Sequence, residues 1–140
     1  MRPALAVRYY VAFPRHRGLR PGTGWTGEAR GEDGLLKVRF QLCLGPDGRV
    51  AEARYECSTC VALVAYCERL AELCRGRSPE QLTRGLVREL LASFPEVPPY
   101  RWGRARLAVW ALLRALEAGM ADGPPGASRG SARLREEDRP

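Results

Sequence analysis

From Leu36 to Leu44 apolar and polar side chains alternate without a break: Leu36, Val38, Phe40, Leu42 and Leu44 fall on one side, Lys37, Arg39, Gln41 and Cys43 on the other. A period of two with one apolar side predicts a half-buried antiparallel strand. Gly45-Pro46-Asp47-Gly48 supplies turn chemistry, and Val50 to Glu56 alternates again with Ala51, Ala53 and Tyr55 on one side. The two segments are expected to pair as a hairpin. The period then changes. Between Cys60 and Arg75 the residues Leu63, Cys67, Leu70 and Cys74 share one stripe, as on an amphipathic helix, and Gly76 provides the stop.

Ser78, Pro79 and Gln81 form a fresh helix start, with Ser78 as cap, Pro79 at the first helical position and Gln81 completing a capping box. The segment from Pro79 to Phe94 is expected to be helical with an interruption near Gly85. Pro95, Pro98 and Pro99 make an extended connector, because proline stops a helix and biases its predecessor away from helical angles. Arg101 to Ala118 predicts a last helix lying across the sheet, with Val109, Leu112, Leu113 and Leu116 on its apolar side and Gly119 as its end. Nearer the N-terminus, Ala4 to Phe13 stays open. Leu5, Tyr9 and Phe13 fit a helical period, while the β-branched and aromatic content favours a strand. Pro14 to Thr26, rich in Gly, Pro and Arg, reads as loop. The elements add up to an α+β fold: a small antiparallel sheet of about three strands with helices packed on one face.

The 140 residues, 45% hydrophobic and 28% charged, suit one domain, expected over residues 1–121. From Asp122 the tail offers almost nothing to bury and its four arginines balance four acids, so residues 122–140 are expected to be disordered. No apolar run approaches the roughly 20 residues that span a bilayer, and the N-terminus lacks the sections of a secretory signal. The expected location is the cytoplasm. The formal charge of +7 is almost wholly arginine, Lys37 being the single lysine. These arginines are spread along the chain with no interleaved aromatic and basic module, so nucleic acid is not an expected partner. No Ser-His-Asp set, phosphate loop or second histidine appears, which argues against an enzyme.

Five cysteines without an export signal argue for thiols that are buried, ligating or reactive rather than for a disulfide framework. Cys67 and Cys74 fall on the core stripe and read as small hydrophobes. Cys43 lies off the core face. Cys60 falls at the helix start, where the macrodipole lowers a thiol's pKa, and Cys57 forms a C-x-x-C with it, the spacing of half a zinc site or of a redox pair. His16, the one histidine, sits in a loop and reads as a surface or capping residue.

The order of these features resembles the U-type iron–sulfur cluster scaffold proteins, the IscU and NifU N-terminal family, over about Val7 to Ala118. Phe13 to Gly18, F-P-R-H-R-G, resembles the family's N-P-R-N-x-G. Gly27 to Asp33, G-E-A-R-G-E-D, stands where it has G-x-P-x-C-G-D. Ala53 to Cys60, A-R-Y-E-C-S-T-C, resembles A-x-F-x-x-x-G-C, and Cys74 to Ser78, C-R-G-R-S, resembles x-x-G-K-S. Val97 to Arg101, V-P-P-Y-R, takes the place of L-P-P-V-K, which in those proteins is recognised by a dedicated chaperone.

The resemblance implies a cluster held by three cysteines with an aspartate and a histidine beside them. Matched position by position, Asp33 and Cys60 are kept, whereas Gly31 replaces the first cysteine, Gly103 the histidine and Arg104 the third cysteine. The ligand set is therefore incomplete. One expectation is a degenerate scaffold-like protein that binds a metal weakly through Cys60 and Asp33 or docks to a cysteine desulfurase or other assembly proteins. A second is a zinc or thiol-redox module on Cys57 and Cys60, with Asp33. A third is a metal-free interaction protein on the same fold. The cofactor expectation stays open between an iron–sulfur cluster, zinc and none. The resemblance also implies that Arg104 faces Asp33 and Cys60, where its guanidinium replaces the metal cation, pairs with Asp33 and closes the vacated site.

Overall fold

The structure is a computed structural model and describes residues 3–121; the expected disordered tail lies outside the described residues. In chain order the elements are α1 (Pro3–Ala12), β1 (Trp25–Arg30), β2 (Lys37–Leu44), β3 (Val50–Cys57), α2 (Val61–Cys74), α3 (Leu86–Ser93) and α4 (Gly103–Ala121). Single 3₁₀ turns occupy Pro79–Gln81 and Pro99–Arg101. The three strands form one antiparallel sheet in the order β1-β2-β3, and the helices bury its inner face: α4 lies against β1 and β2, α2 against β3. Among the described residues no helix is long and apolar enough to cross a membrane.

The hairpin pairs as its alternation predicts, with Phe40 opposite Tyr55 and Leu42 opposite Ala53, all fully buried. Its turn end departs from the prediction. A register shift at Cys43/Leu44 sets Leu44 opposite Val50, so Val50 turns inward and Ala51 is exposed, off the face that holds Ala53 and Tyr55. Gln41, expected on the solvent side, is buried because it straps the preceding loop. Its amide donates to the carbonyls of Arg20 (2.8 Å) and Thr23 (2.6 Å) and accepts from the Arg20 amide (2.9 Å).

The composition places Trp25 and Thr26 in a loop, whereas in the structure they open strand β1, which lies against α4. Gly27 has no side chain because a Cβ there would run into the backbone of Ala111, Arg114 and Ala115. At α4's far end, a Cβ on Gly119 would enter the ring of Trp25. The open question at the N-terminus resolves to helix, though the inward face is Val7, Tyr10 and Val11, while Tyr9 and Phe13 remain about half exposed. The capping box at Ser78 is made, the Ser78 amide donating to Gln81 Oε1 at 2.8 Å, but it closes only one 3₁₀ turn before α3 begins at Leu86.

Candidate functional site

Helix α2 begins directly after the hairpin, and Cys60 is its capping residue, in extended backbone with φ −149° and ψ 122°. Ten of the helix's fourteen residues are buried, so its position is fixed by the core. Helix α4 brings Arg104, in its first turn, to the same place. The Arg104 guanidinium donates from Nε to Cys60 Sγ at 3.3 Å. Burial of the Cys60 thiol works to raise its pKa. The Arg104 hydrogen bond, the amides of Leu63 and Ala62, and the Arg104 charge together outweigh it, and the thiol lies below its ordinary value. The first amides of α2 and the Arg104 guanidinium converge on this sulfur, an environment that favours an anion.

Asp33 stands apart from that pair. It is exposed, in the loop between β1 and β2, where its Oδ1 accepts from the Leu35 amide at 3.0 Å. Gly31, in the place of the first cysteine, lies beside it: a Cβ there would be 3.5 Å from Asp33 Oδ1. The expected ion pair between Arg104 and Asp33 is not formed. The guanidinium turns to sulfur instead, and Asp33 is held by its own turn.

The two thiols of the C-x-x-C also part company. Cys57 is the last residue of β3, and the nearby thiol of the buried Cys67, with the charge of Arg17, lowers its pKa despite burial. Cys67 is driven well up, first by burial and then by Cys57. Cys57 opens on a recess of about 450 Å³ whose lining includes Arg17, Lys37 and Arg39. Thus Cys57 has Cys67 as partner and Cys60 has Arg104. Among the described residues no three His, Cys, Asp or Glu side chains converge as a metal-holding group. The donors present, with a guanidinium on the central thiol, do not fit a four-ligand cluster or a zinc site.

A second polar cluster escaped the sequence reading. Glu68, 2% exposed in the middle of α2, pairs with His16 Nδ1, accepts from the His16 amide (3.1 Å) and accepts from Tyr55 Oη (2.9 Å). His16 is therefore a tether rather than a surface residue. It fixes the segment before β1 against the edge of β3, where the Tyr55 amide donates to the His16 carbonyl and the Gly18 amide to the Tyr55 carbonyl. The available signal was an acid following Cys67 on a helix with little polar surface.

No family model matches the chain. Over 111 residues, 77% of its length, the chain is 39% identical to the bifunctional protein NifU/MnmA of Rubrobacter xylanophilus, and it spans only 22% of that relative. Its fold is similar to a solved iron–sulfur cluster assembly scaffold protein for the SUF system from Fervidobacterium islandicum AW-1. That match has a TM-score of 0.64 at 12% identity and covers 79% of this chain and 93% of that one. It is likewise similar to the N-terminal part of a nitrogen-fixing NifU-like protein from Brucella abortus, with a TM-score of 0.63 at 16% identity over 80% of this chain and 92% of that one. By sequence the chain is similar to a NifU-type protein, and its three-stranded sheet with helices on one face is the fold of the solved IscU/NifU-like scaffold proteins.

Proposed function

We propose that the protein serves iron–sulfur cluster assembly as a single-thiol member of its family, with Cys60 accepting a sulfane sulfur from a protein persulfide donor such as a cysteine desulfurase. The observation that carries this reading is the Cys60–Arg104 contact at 3.3 Å. A thiolate is the attacking species in sulfur exchange, and a guanidinium beside it holds the thiol ionised. The Cys60 thiolate attacks the outer sulfur of the donor persulfide. A bond forms between Cys60 Sγ and that sulfur, the donor's S–S bond breaks, and the donor leaves as a thiolate. One S–S bond replaces another and the transferred sulfur keeps its oxidation state, so no redox partner is required; the new persulfide then gives up its proton to solvent. Arg104 stays positioned to pair with the anionic product.

Iron or a cluster would be cargo passed to or from partners, not a group held here by a full ligand set. The separate partners of Cys57 and Cys60 speak against a zinc or redox pair on the C-x-x-C. Residues 1–121 would form the docking domain for such partners.

The test is intact-protein mass spectrometry after incubation with a cysteine desulfurase and cysteine. The expected result is a gain of one sulfur atom, lost in Cys60→Ser and retained in Cys57→Ser. Sulfur that stays on the Cys60→Ser protein would sink the assignment.

A further inference from the structure

The tether at His16 leaves one ring nitrogen unused. Nδ1 is taken by Glu68, and among the described residues Nε2 has no partner. The polar side-chain atoms there that are both sealed from solvent and unpartnered are the Tyr66 hydroxyl and the two Glu96 oxygens, so Nε2 is within reach of solvent. The ring is held in place, because Glu68 is buried and also accepts from the His16 amide and the Tyr55 hydroxyl. A carboxylate behind one imidazole nitrogen orients the ring and leaves the other nitrogen to meet a ligand.

His16 lines a groove of about 1310 Å³ bounded by the end of α1, β3 and the second half of α2. Four arginines and two glutamates share the lining, and both carboxylates are already matched. Glu52 pairs with Arg20 at 2.8 Å and with Arg54 at 2.9 Å. Glu72 pairs with Arg69 at 3.0 Å and accepts from the Tyr10 hydroxyl at 2.6 Å. Arg15 and Arg75 are exposed, and among the described residues neither has a carboxylate partner; Arg15 donates to the Tyr9 hydroxyl at 3.1 Å. The groove therefore carries a surplus of positive charge, which draws anions.

We propose that this groove binds the phosphoryl groups of a small phosphate-bearing molecule, held by the guanidinium groups of Arg15 and Arg75 and by His16 Nε2. A guanidinium fork matches two oxygens of a phosphoryl group, and the imidazole nitrogen adds a hydrogen bond from a fixed direction. The volume has room for an organic part as well as for the anion. Neither Cys60 nor Arg104 takes part, so the site stands or falls separately from the sulfur-transfer reading.

His16 is the single histidine, so its Cε1 proton gives one assignable NMR signal. The test titrates the full chain with inorganic pyrophosphate, with ADP and with malonate, at fixed pH and matched ionic strength. A saturable shift of the His16 signal is expected with both phosphates, at lower concentration than with malonate. Binding roughly tenfold weaker is expected for the double variant Arg15→Gln/Arg75→Gln. ADP binding tighter than pyrophosphate assigns an organic phosphate, and equal binding of the two a free one. No saturable shift with either phosphate, malonate binding as tightly as they do, or unchanged affinity in the double variant overturns the proposal. Arg75 makes no side-chain hydrogen bond among the described residues, so Arg75→Gln alone carries the comparison if the double variant melts early.

Discussion

Helix α2 has cysteines at its cap, its middle and its end, and the cap behaves unlike the rest. At the cap, Cys60 is partly exposed and Arg104 lowers its pKa. Two and four turns on, Cys67 and Cys74 are buried. Burial pushes Cys74 up to about 12, and Cys67 moves the same way. A shared seven-residue spacing gave the three thiols one helical stripe, but their chemistry follows from what meets them in space. The same contrast holds for the acids and bases nearby. At the cap a cation faces a single thiol close to solvent, whereas in the middle Glu68 is closed off with His16 and Tyr55. One region leaves its polar pair open to solvent and the other encloses it.

The sharpest way to break that contrast is Glu68→Ala. It strands His16 and the Tyr55 hydroxyl in the interior, with an expected loss of about 3–5 kcal/mol in denaturant unfolding. A loss below about 1 kcal/mol, the scale of an exposed ion pair, would mean the network is not the tether described. Next in size, Cys74→Ser puts a hydroxyl into an apolar interior and is expected to cost about 1–3 kcal/mol in the same measurement. Cys60→Ser, by contrast, is expected to change stability by no more than about 0.5 kcal/mol. Equal costs at the two positions would erase the distinction between cap and core.

The subtlest change is electrostatic. The fold favours the thiolate of Cys60, so the rate of iodoacetamide alkylation at Cys60 is expected to reach half its maximum at a pH below that of an ordinary thiol. In Arg104→Ala the half-point moves up. An unmoved half-point would show that the guanidinium does not set the thiol's ionisation.

Much of this architecture can be read from local pattern. The β2–β3 hairpin, α2 and α4 announce themselves because each buries one side on a regular period, but Gly119, expected as the stop of α4, lies inside it: the helix runs on to Ala121, and the glycine makes room for Trp25. What resists reading depends on distant contact. Strand β1 is poor in strand-forming residues because Gly27 was chosen by the helix above it, and a bulge moved Ala51 to the outside without any cue in the alternation. The candidate site divides the same way. Cys60 at a helix start is a local inference, while its contact with Arg104, 44 positions away, becomes visible only through a likeness to a family. Asp33 shows the limit of such likeness: the position is kept, but its carboxylate serves the turn around Leu35. His16 looked like surface because its partner, Glu68, is 52 residues downstream.

The close approach of α4 to β1 has a consequence for aiming. The helix rests on the strand at two stations, Gly27 beneath Ala111 to Ala115 and Trp25 beneath Gly119, and two supports remove both sliding and rolling. Arg104 lies about 22 Å along the helix from Gly119 at 1.5 Å per residue. With Ala105 and Ala108 buried at the near end and these two stations at the far end, the helix has one line to lie along, and that line presents the guanidinium to Cys60.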